Sequence, residues 1–343
     1  MTRVSIKNIA ENLGVSNATV SLVLNGKEKE GRVSKELSEK IRATARELKY
    51  EPNNLARGLR IGRSHTIGVI VADISNLFFA NLAFHIQEQA EKFGYSVIIT
   101  NTNESDLKME KMVNILNSRQ VDGFIIVPTE NGEPYVADLI ARNIPVVLID
   151  RYFPQLNVSS VVVDNYNASV KMVENLVNQG CRNIGLVIYK SVLQHTKERK
   201  RGYTDVLKKY GFYNLSLIKE VNYSLISKDI PIAIEGLMTK ENNLDGIFFT
   251  TNTLAMQGMK MLKQMHVDIP GDIKVVSFDK NDVFDFVEMD ILYALQPIPE
   301  MGKRAVELLI EQIQNRLTPV KNVELQANLI NPFQSFYDIK LNV

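Results

Sequence analysis

Side chains able to grip a small polar molecule recur beside short apolar runs beyond residue 64 of this 343-residue sequence. Asp73, Asn76, Phe78 and Phe79 follow the run Ile67–Ala72, and Asp150 with Arg151 closes the run beginning at Val146. Arg199 stands three residues before Gly202-Tyr203, and Asp279 ends the run beginning at Lys274. Aromatic rings cover the C–H faces of a sugar while carboxylate, amide and guanidinium groups exchange hydrogen bonds with its hydroxyls. The set therefore suits a polyhydroxylated ligand. Each member also has a plainer reading. Phe78 and Phe79 read as core, Asp150 and Asp279 as caps of the next helices, and Arg199 as one charge of a solvated helix face, Lys197–Arg201.

A different chemistry sits near the N-terminus. Ser5, Ser16, Thr19 and Ser34 stand at helix starts, where hydroxyls and free backbone N–H groups hold phosphates. Asn17, Ala18, Ser21 and Leu22 form an outward face small enough to let a backbone approach a duplex. Asn17 can read a base edge, and Leu22 can touch a thymine methyl. Arg32 reads either as a phosphate contact or as a solvated loop charge. Charge is distributed accordingly. Residues 1–63 hold 13 Lys and Arg against 7 Asp and Glu, a balance of +6, while the remainder stands at −5. A basic head on an acidic body points to a polyanion bound at one end; a protein-binding three-helix bundle is the other reading.

The elements that must position these groups follow from periodicity. Ile6, Ile9, Ala10 and Leu13 form one helical stripe stopped by Gly14. Val20, Val23 and Leu24 form a second, ended by Asn25-Gly26, and Leu37, Ile41, Ala45 and Leu48 a third. Helix, tight turn and helix is the arrangement that lays its second helix in a major groove. Pro52 stops the third helix, and Asn53–Leu59 is a short amphipathic stretch before the linker-like Gly62-Arg63-Ser64.

From Ile67 onward β-rich runs alternate with helices, as parallel sheets covered on both faces require. Strands are expected at Ile67–Ala72, Ser96–Thr100, Phe124–Val127, Val146–Asp150, Ile184–Ile188, Ile247–Thr250 and Lys274–Asp279. Helices are expected at Leu82–Phe93, Lys108–Arg119, Ala168–Gln179, Lys200–Tyr210 and Met256–Met265. Roughly ten strands in all are too many for one comfortable sheet, and the order restarts near Asp164–Ala168, so two similar lobes are expected.

Several function classes drop out. There is no G-x-G-x-x-G, G-x-x-x-x-G-K-[ST] or G-x-S-x-G motif. The four histidines (His65, His85, His195, His266) lack metal-ligand spacing, and Cys181 is the single cysteine. No catalysis, cofactor, metal or disulfide is expected. His195 reads either as pointing into the cleft near Arg199 or, the commoner case for a lone loop histidine, as a solvated residue. No apolar run approaches the ~20 residues that span a bilayer, and no signal-peptide pattern opens the chain, so a soluble cytoplasmic protein is expected.

The runs Ile6-Lys7-Asn8-Ile9-Ala10, Gly14–Asn25 and Val33-Ser34, together with Leu48–Asn53 and Ala56–Leu59, closely resemble the head of the lactose/galactose repressor (LacI/GalR) family of bacterial transcription factors. The resemblance covers nearly the whole chain. It implies a small all-α helix-turn-helix domain at 1–51, a hinge helix and linker at 52–63, and an α/β body at 64–343. The body is expected as two doubly wound parallel-sheet lobes resembling periplasmic sugar-binding proteins, lobe 1 about 64–163 plus 293–325 and lobe 2 about 164–292 plus 326–343.

By the same resemblance the head binds double-stranded DNA through the residues already named, with Asn25 added. The hinge contributes Asn53, Ala56 and Leu59, the leucine wedging into the minor groove at the operator centre. A seven-residue segment is too short to be a stable helix alone, and an apolar wedge can kink DNA in exchange for wider contact. Effector would be gripped by Asp73, Asn76, Phe78, Phe79, Asp150, Arg199 and Asp279, with Tyr223 near a position that stacks a ring on ligand; Arg151 is a candidate from its place at a strand end alone.

Two departures stand out in the head. Many relatives carry arginine where Leu22 stands, and the loop Lys27–Arg32 is longer than in the lactose repressor. In the body, relatives often carry Asn-Asp where this chain has Thr251-Asn252, which leaves Asn252 the weaker ligand candidate. The resemblance implies a homodimeric repressor on a near-palindromic operator, controlled allosterically by a small molecule of sugar type. Gln334–Val343 carries no heptad zipper, which favours dimer over tetramer. The competing reading is a cytoplasmic sugar-binding module whose head contacts protein.

Overall fold

A serine stands before each of the three helices of the N-terminal unit: Ser5 before α1 (Ile6–Leu13), Ser16 before α2 (Asn17–Leu24) and Ser34 before α3 (Lys35–Glu47). The computed structural model describes residues 4–50, 63–280, 284 and 291–331. Asn53, Ala56, Leu59 and the segment Gln334–Val343 lie outside the described residues. Two compact units divide between Ser64 and His65.

In the first unit Ile9, Ala10, Val20, Val23, Ile41 and Ala45 form a closed core, with Ile6, Leu13, Leu24, Leu37 and Leu48 packed against it. These are the stripes that the sequence predicts. Gly14 takes φ of +63° at the end of α1, a conformation that costs glycine nothing, and so lets α2 turn back across α1. The loop after α2 is pinned by Arg42, whose guanidinium donates to Glu28 at 2.7 Å.

The second unit contains two six-stranded sheets. The first orders as β2 (Ser96–Asn101), β1 (Thr66–Val71), β3 (Gly123–Ile126), β4 (Val146–Ile149), β5 (Ser159–Val163) and β11 (Asn322–Leu325), all parallel. The second orders as β7 (Ile218–Val221), β6 (Ile184–Tyr189), β8 (Gly246–Phe249), β9 (Lys274–Phe278), β10 (Leu292–Leu295) and β12 (Asn328–Ile330), with only β12 antiparallel. The two orders are the same, 2-1-3-4-5 plus a returning strand. Central strands are mostly apolar and rich in Val, Ile and Phe because helices cover both faces.

The first sheet carries α4 (Leu77–Lys92), α5 (Asp106–Ser118), α6 (Glu133–Ala141) and α11 (Ile298–Gln314). The second carries α7 (Asn165–Asn178), α8 (Gln194–Tyr210), α9 (Ile226–Leu237) and α10 (Asn252–Gln264). The chain passes between lobes after β5, β10 and β11. The second passage corrects the expected return at 293: Leu292–Leu295 pairs in parallel with β9, so backbone hydrogen bonding keeps those residues in the second lobe and the crossing follows Leu295. Helices also begin two to six residues before the expected starts.

Candidate functional site

Ligands in doubly wound sheets bind outside the carboxyl ends of the strands, at the point where strand order reverses. In both lobes those ends face one cavity of about 270 Å³. The first lobe supplies Asp73, Asn76, Phe78 and Phe79 after β1, Glu104 after β2, and Asp150 with Arg151 after β4. The second supplies Tyr189 from β6, Tyr223 after β7, Asn252 at the start of α10, Asp279 after β9 and Gln296 after β10. All ten body positions singled out from the sequence line this space. Both competing readings hold for the phenylalanines, since Phe78 and Phe79 are also core residues.

Arg199 owes its position to Gly202, one turn further along α8. A Cβ on Gly202 would lie 2.7 Å from the carbonyl oxygen of Tyr166 and 2.8 Å from Ser169 Cβ, so only glycine lets α7 and α8 approach this closely. The approach brings Arg199 Nε to Asn165 Oδ1 at 2.8 Å, while Nη1 donates to the Thr250 carbonyl at 2.6 Å. Its guanidinium carbon stands 3.5 Å from the centre of the Phe278 ring. Arg199 is thus buried inside the lobe and separate from the solvated charges around it.

Asp150 and Asp279 occupy equivalent places in the two lobes. Each follows its strand with φ near +69° and +68° respectively, and each is buried. Asp150 does not cap the next helix, which Asp164 caps, and both carboxylates line the cavity wall. Burial pushes Asp150 above the usual carboxylate range, opposed by Arg151 and Arg199. Burial likewise raises Asp279 to about 6, against the pull of Arg199 and the hydrogen bond from Gln296 Nε2 at 2.7 Å.

Arg151 is bound up more fully than the sequence suggests. Nη1 and Nη2 both donate to Glu104 at 2.7 Å, and Nε donates to Asp150 at 3.2 Å. Burial disfavours its charge, but the two carboxylates outweigh burial and hold Arg151 protonated.

The cleft is bridged directly. Tyr223 Oη donates to Asp73 at 2.9 Å, Asn252 Nδ2 to Asn76 at 3.3 Å, and Asn76 Nδ2 to Thr253 at 3.4 Å. Burial works to raise Asp73, but hydrogen bonds from Ser75 and Tyr223 prevail and hold it below its ordinary value.

Sequence reasoning missed Glu104, Tyr189, Ile226, Thr251, Thr253 and Gln296 as cavity residues and gave His195 only as the less common reading. Most stand at a strand end or helix start, so extending the strand-end rule to every strand would have found them. His195 corrects an expectation: it lies in the first turn of α8, half-buried, and Nδ1 has no hydrogen-bond partner. Burial, reinforced by Arg151 and Arg199, depresses its pKa well below the ordinary value and keeps it neutral. Among the described residues no group of three or more His, Cys, Asp or Glu could hold a metal ion, and no helix is long and apolar enough to cross a membrane.

On the head, α2 buries Val20 and Val23 and turns Asn17, Ala18 and Ser21 outward. Ser16 Oγ accepts from the Thr19 amide at 3.1 Å, Ser34 Oγ from the Leu37 amide at 3.3 Å, and the Ser5 amide and hydroxyl donate to Asn8. Asn25 Nδ2 closes α2 by donating to the Ser21 carbonyl at 2.7 Å. Arg32 is exposed. Leu22 is only half-exposed because the loop folds Gly31 onto it; a Cβ there would meet Leu22 Cδ1 at 2.4 Å.

Two family models match in tandem. Residues 5–53 match the bacterial regulatory proteins of the lacI family. Residues 64–336 match the periplasmic binding proteins and sugar binding domain of the LacI family. The chain belongs to the LacI family. It is 31% identical to a ribose operon repressor of Halalkalibacterium halodurans over 95% of each chain, and 30% identical to catabolite control protein A of Priestia megaterium over 94% of this chain and 96% of that one. The lac repressor dimer bound to operator and an anti-inducer aligns with a TM-score of 0.83 at 22% identity, covering 96% of this chain and 98% of that one. Relatives at this level are transcriptional regulators, and this LacI-family chain is a DNA-binding transcriptional regulator of the same two-part build.

Proposed function

We propose that the chain is a cytoplasmic homodimeric repressor without enzymatic activity, whose two heads hold a near-palindromic operator and whose cleft binds a sugar as allosteric effector. The carrying observation is the convergence of Asp150, Asp279 and Arg199, each buried and each from a different strand or helix, on one cavity between two lobes. Buried charges are costly unless something uses them. Two carboxylates and a guanidinium facing aromatic rings make a site for several hydroxyls. The names of the relatives, a ribose operon repressor among them, support a sugar.

A ligand held by both lobes shifts the opening equilibrium only through its different affinity for the two states. Its energy therefore reaches the DNA through movement of the first lobe. On the head, the proposed contacts are phosphates at the starts of α1, α2 and α3 and base edges along the Asn17–Ser21 face, with Ala56 and Leu59 as the hinge wedge. Gel shifts with genomic fragments test the DNA part. One fragment should be held specifically, with affinity falling steeply as salt rises. Thermal unfolding against sugars tests the effector part: a ligand at ~100 times its Kd adds about 2.7 kcal/mol of stability. Retention of no fragment, with a sugar still bound, would favour the protein-binding head.

A further inference from the structure

The charged side chains of the cleft are unevenly committed. Arg151 has all three nitrogens engaged, two on Glu104 and one on Asp150. Arg199 spends Nε on Asn165 and Nη1 on the Thr250 carbonyl. Among the described residues only its Nη2 stays uncommitted. On the acceptor side, Asp150 is engaged through Oδ2 and Asp279 through Oδ1. The other oxygen of each carboxylate is unused among the described residues, and buried Gln296 Oε1 has no partner. The cavity thus offers three acceptor oxygens for a single guanidinium nitrogen. Four carboxylates line it (Asp73, Glu104, Asp150, Asp279) against two arginines, with His195 neutral.

An anion entering this space would meet a net negative wall in a region of weak screening. A ring bearing several O–H donors would satisfy every unused oxygen. The cavity lies just below the range of about 300–1,000 Å³ usual for small-molecule sites, which suits one ring.

We infer that the cleft selects an uncharged polyhydroxyl ring and rejects its phosphorylated or carboxylated counterpart, with Glu104 as the specificity-determining residue. The inference rests on the sugar-effector reading above. Glu104 acts by occupying Arg151. Without its bidentate grip, a second guanidinium beside Phe79 would become free to bind an acidic group. Glu104 itself holds φ of +56°, an uncommon conformation for a non-glycine residue, so the turn after β2 is shaped to present it.

The test uses the full-length protein and calorimetric titration with matched probes: ribose and ribose 5-phosphate, glucose, glucose 6-phosphate and gluconate. The uncharged member of a pair should bind at least tenfold more tightly. Tighter binding of a phosphate or carboxylate than of its uncharged partner overturns the inference and leaves the effector reading intact. Silence from every probe counts against the effector reading, and the inference falls with it. In Glu104→Gln the preference should move by at least tenfold toward the acidic partner; an unchanged ratio removes Glu104 as the source of the preference. Should that variant fail to fold, Arg151→Gln takes its place. It frees Glu104 and should deepen the rejection of anions, and a weakened rejection would overturn the assignment.

Discussion

Asp279 offers a prediction whose sign and size both follow from its surroundings. Burial raises its folded-state pKa to about 6, whereas an unfolded aspartate titrates near 3.9. The folded protein therefore holds this proton more tightly than the unfolded chain. The stability linked to it is fully present below about pH 4 and is lost as pH rises through 6. A separation of about two pH units between the folded and unfolded titrations corresponds to about 3 kcal/mol.

Asp279→Asn removes the titration while keeping the shape. Asparagine tolerates the left-handed backbone that Asp279 adopts, and its carbonyl can still accept from Gln296. Equilibrium unfolding of the body, for variant and wild type at pH 4 and pH 7, isolates the contribution. The variant should gain about 2 kcal/mol on the wild type between those values, on the order of 4–8 °C in Tm for a body of this size. The other carboxylates cancel in the comparison. Parallel pH profiles for the two proteins would refute the reasoning. Effector affinity should move the opposite way, because the ionised carboxylate is the acceptor: it should fall as the wild type is taken below pH 6, and the variant should bind weakly at every pH.

Arg199→Ala should lower effector affinity about 10- to 150-fold, since a hydrogen bond to a charged group contributes about 1.5–3 kcal/mol; titration calorimetry and gel shifts should show operator binding retained. Gly202→Ala places a methyl 2.7 Å from the Tyr166 carbonyl and should cost about 1–3 kcal/mol, read from urea melts; an unmoved midpoint would contradict the close packing of α7 on α8. Tyr223→Phe removes the phenol bond to Asp73 and should speed effector dissociation several-fold in stopped-flow traces with little change in Tm. Leu59→Ser should weaken operator binding far more than binding to random DNA; equal losses would argue against a wedge.

Local chemistry carried most of the architecture. Serine caps, Gly14 and the stripes through Ile9, Val20 and Ile41 are short-range signals, so the head was legible as three helices in the right places. The Val- and Ile-rich strands were equally plain, because a strand buried on both faces must be apolar throughout. Strand ends pointed to Asp73, Asp150 and Asp279, and the family resemblance added Tyr223 and Asn252.

What no window of sequence could show is which charges are spent. Arg199 looks like one cation in a solvated run until Gly202 draws α8 against α7 and buries it. Arg151 looks available until Glu104, 47 residues earlier, folds across it. His195 looks solvated until α8 begins at Gln194 and turns it into the cleft. These outcomes depend on groups far apart in the chain meeting at low dielectric, where a few ångströms decide whether a charge is free or paired. Periodicity records which face of an element is buried; only the meeting of two lobes determines what a buried side chain finds there.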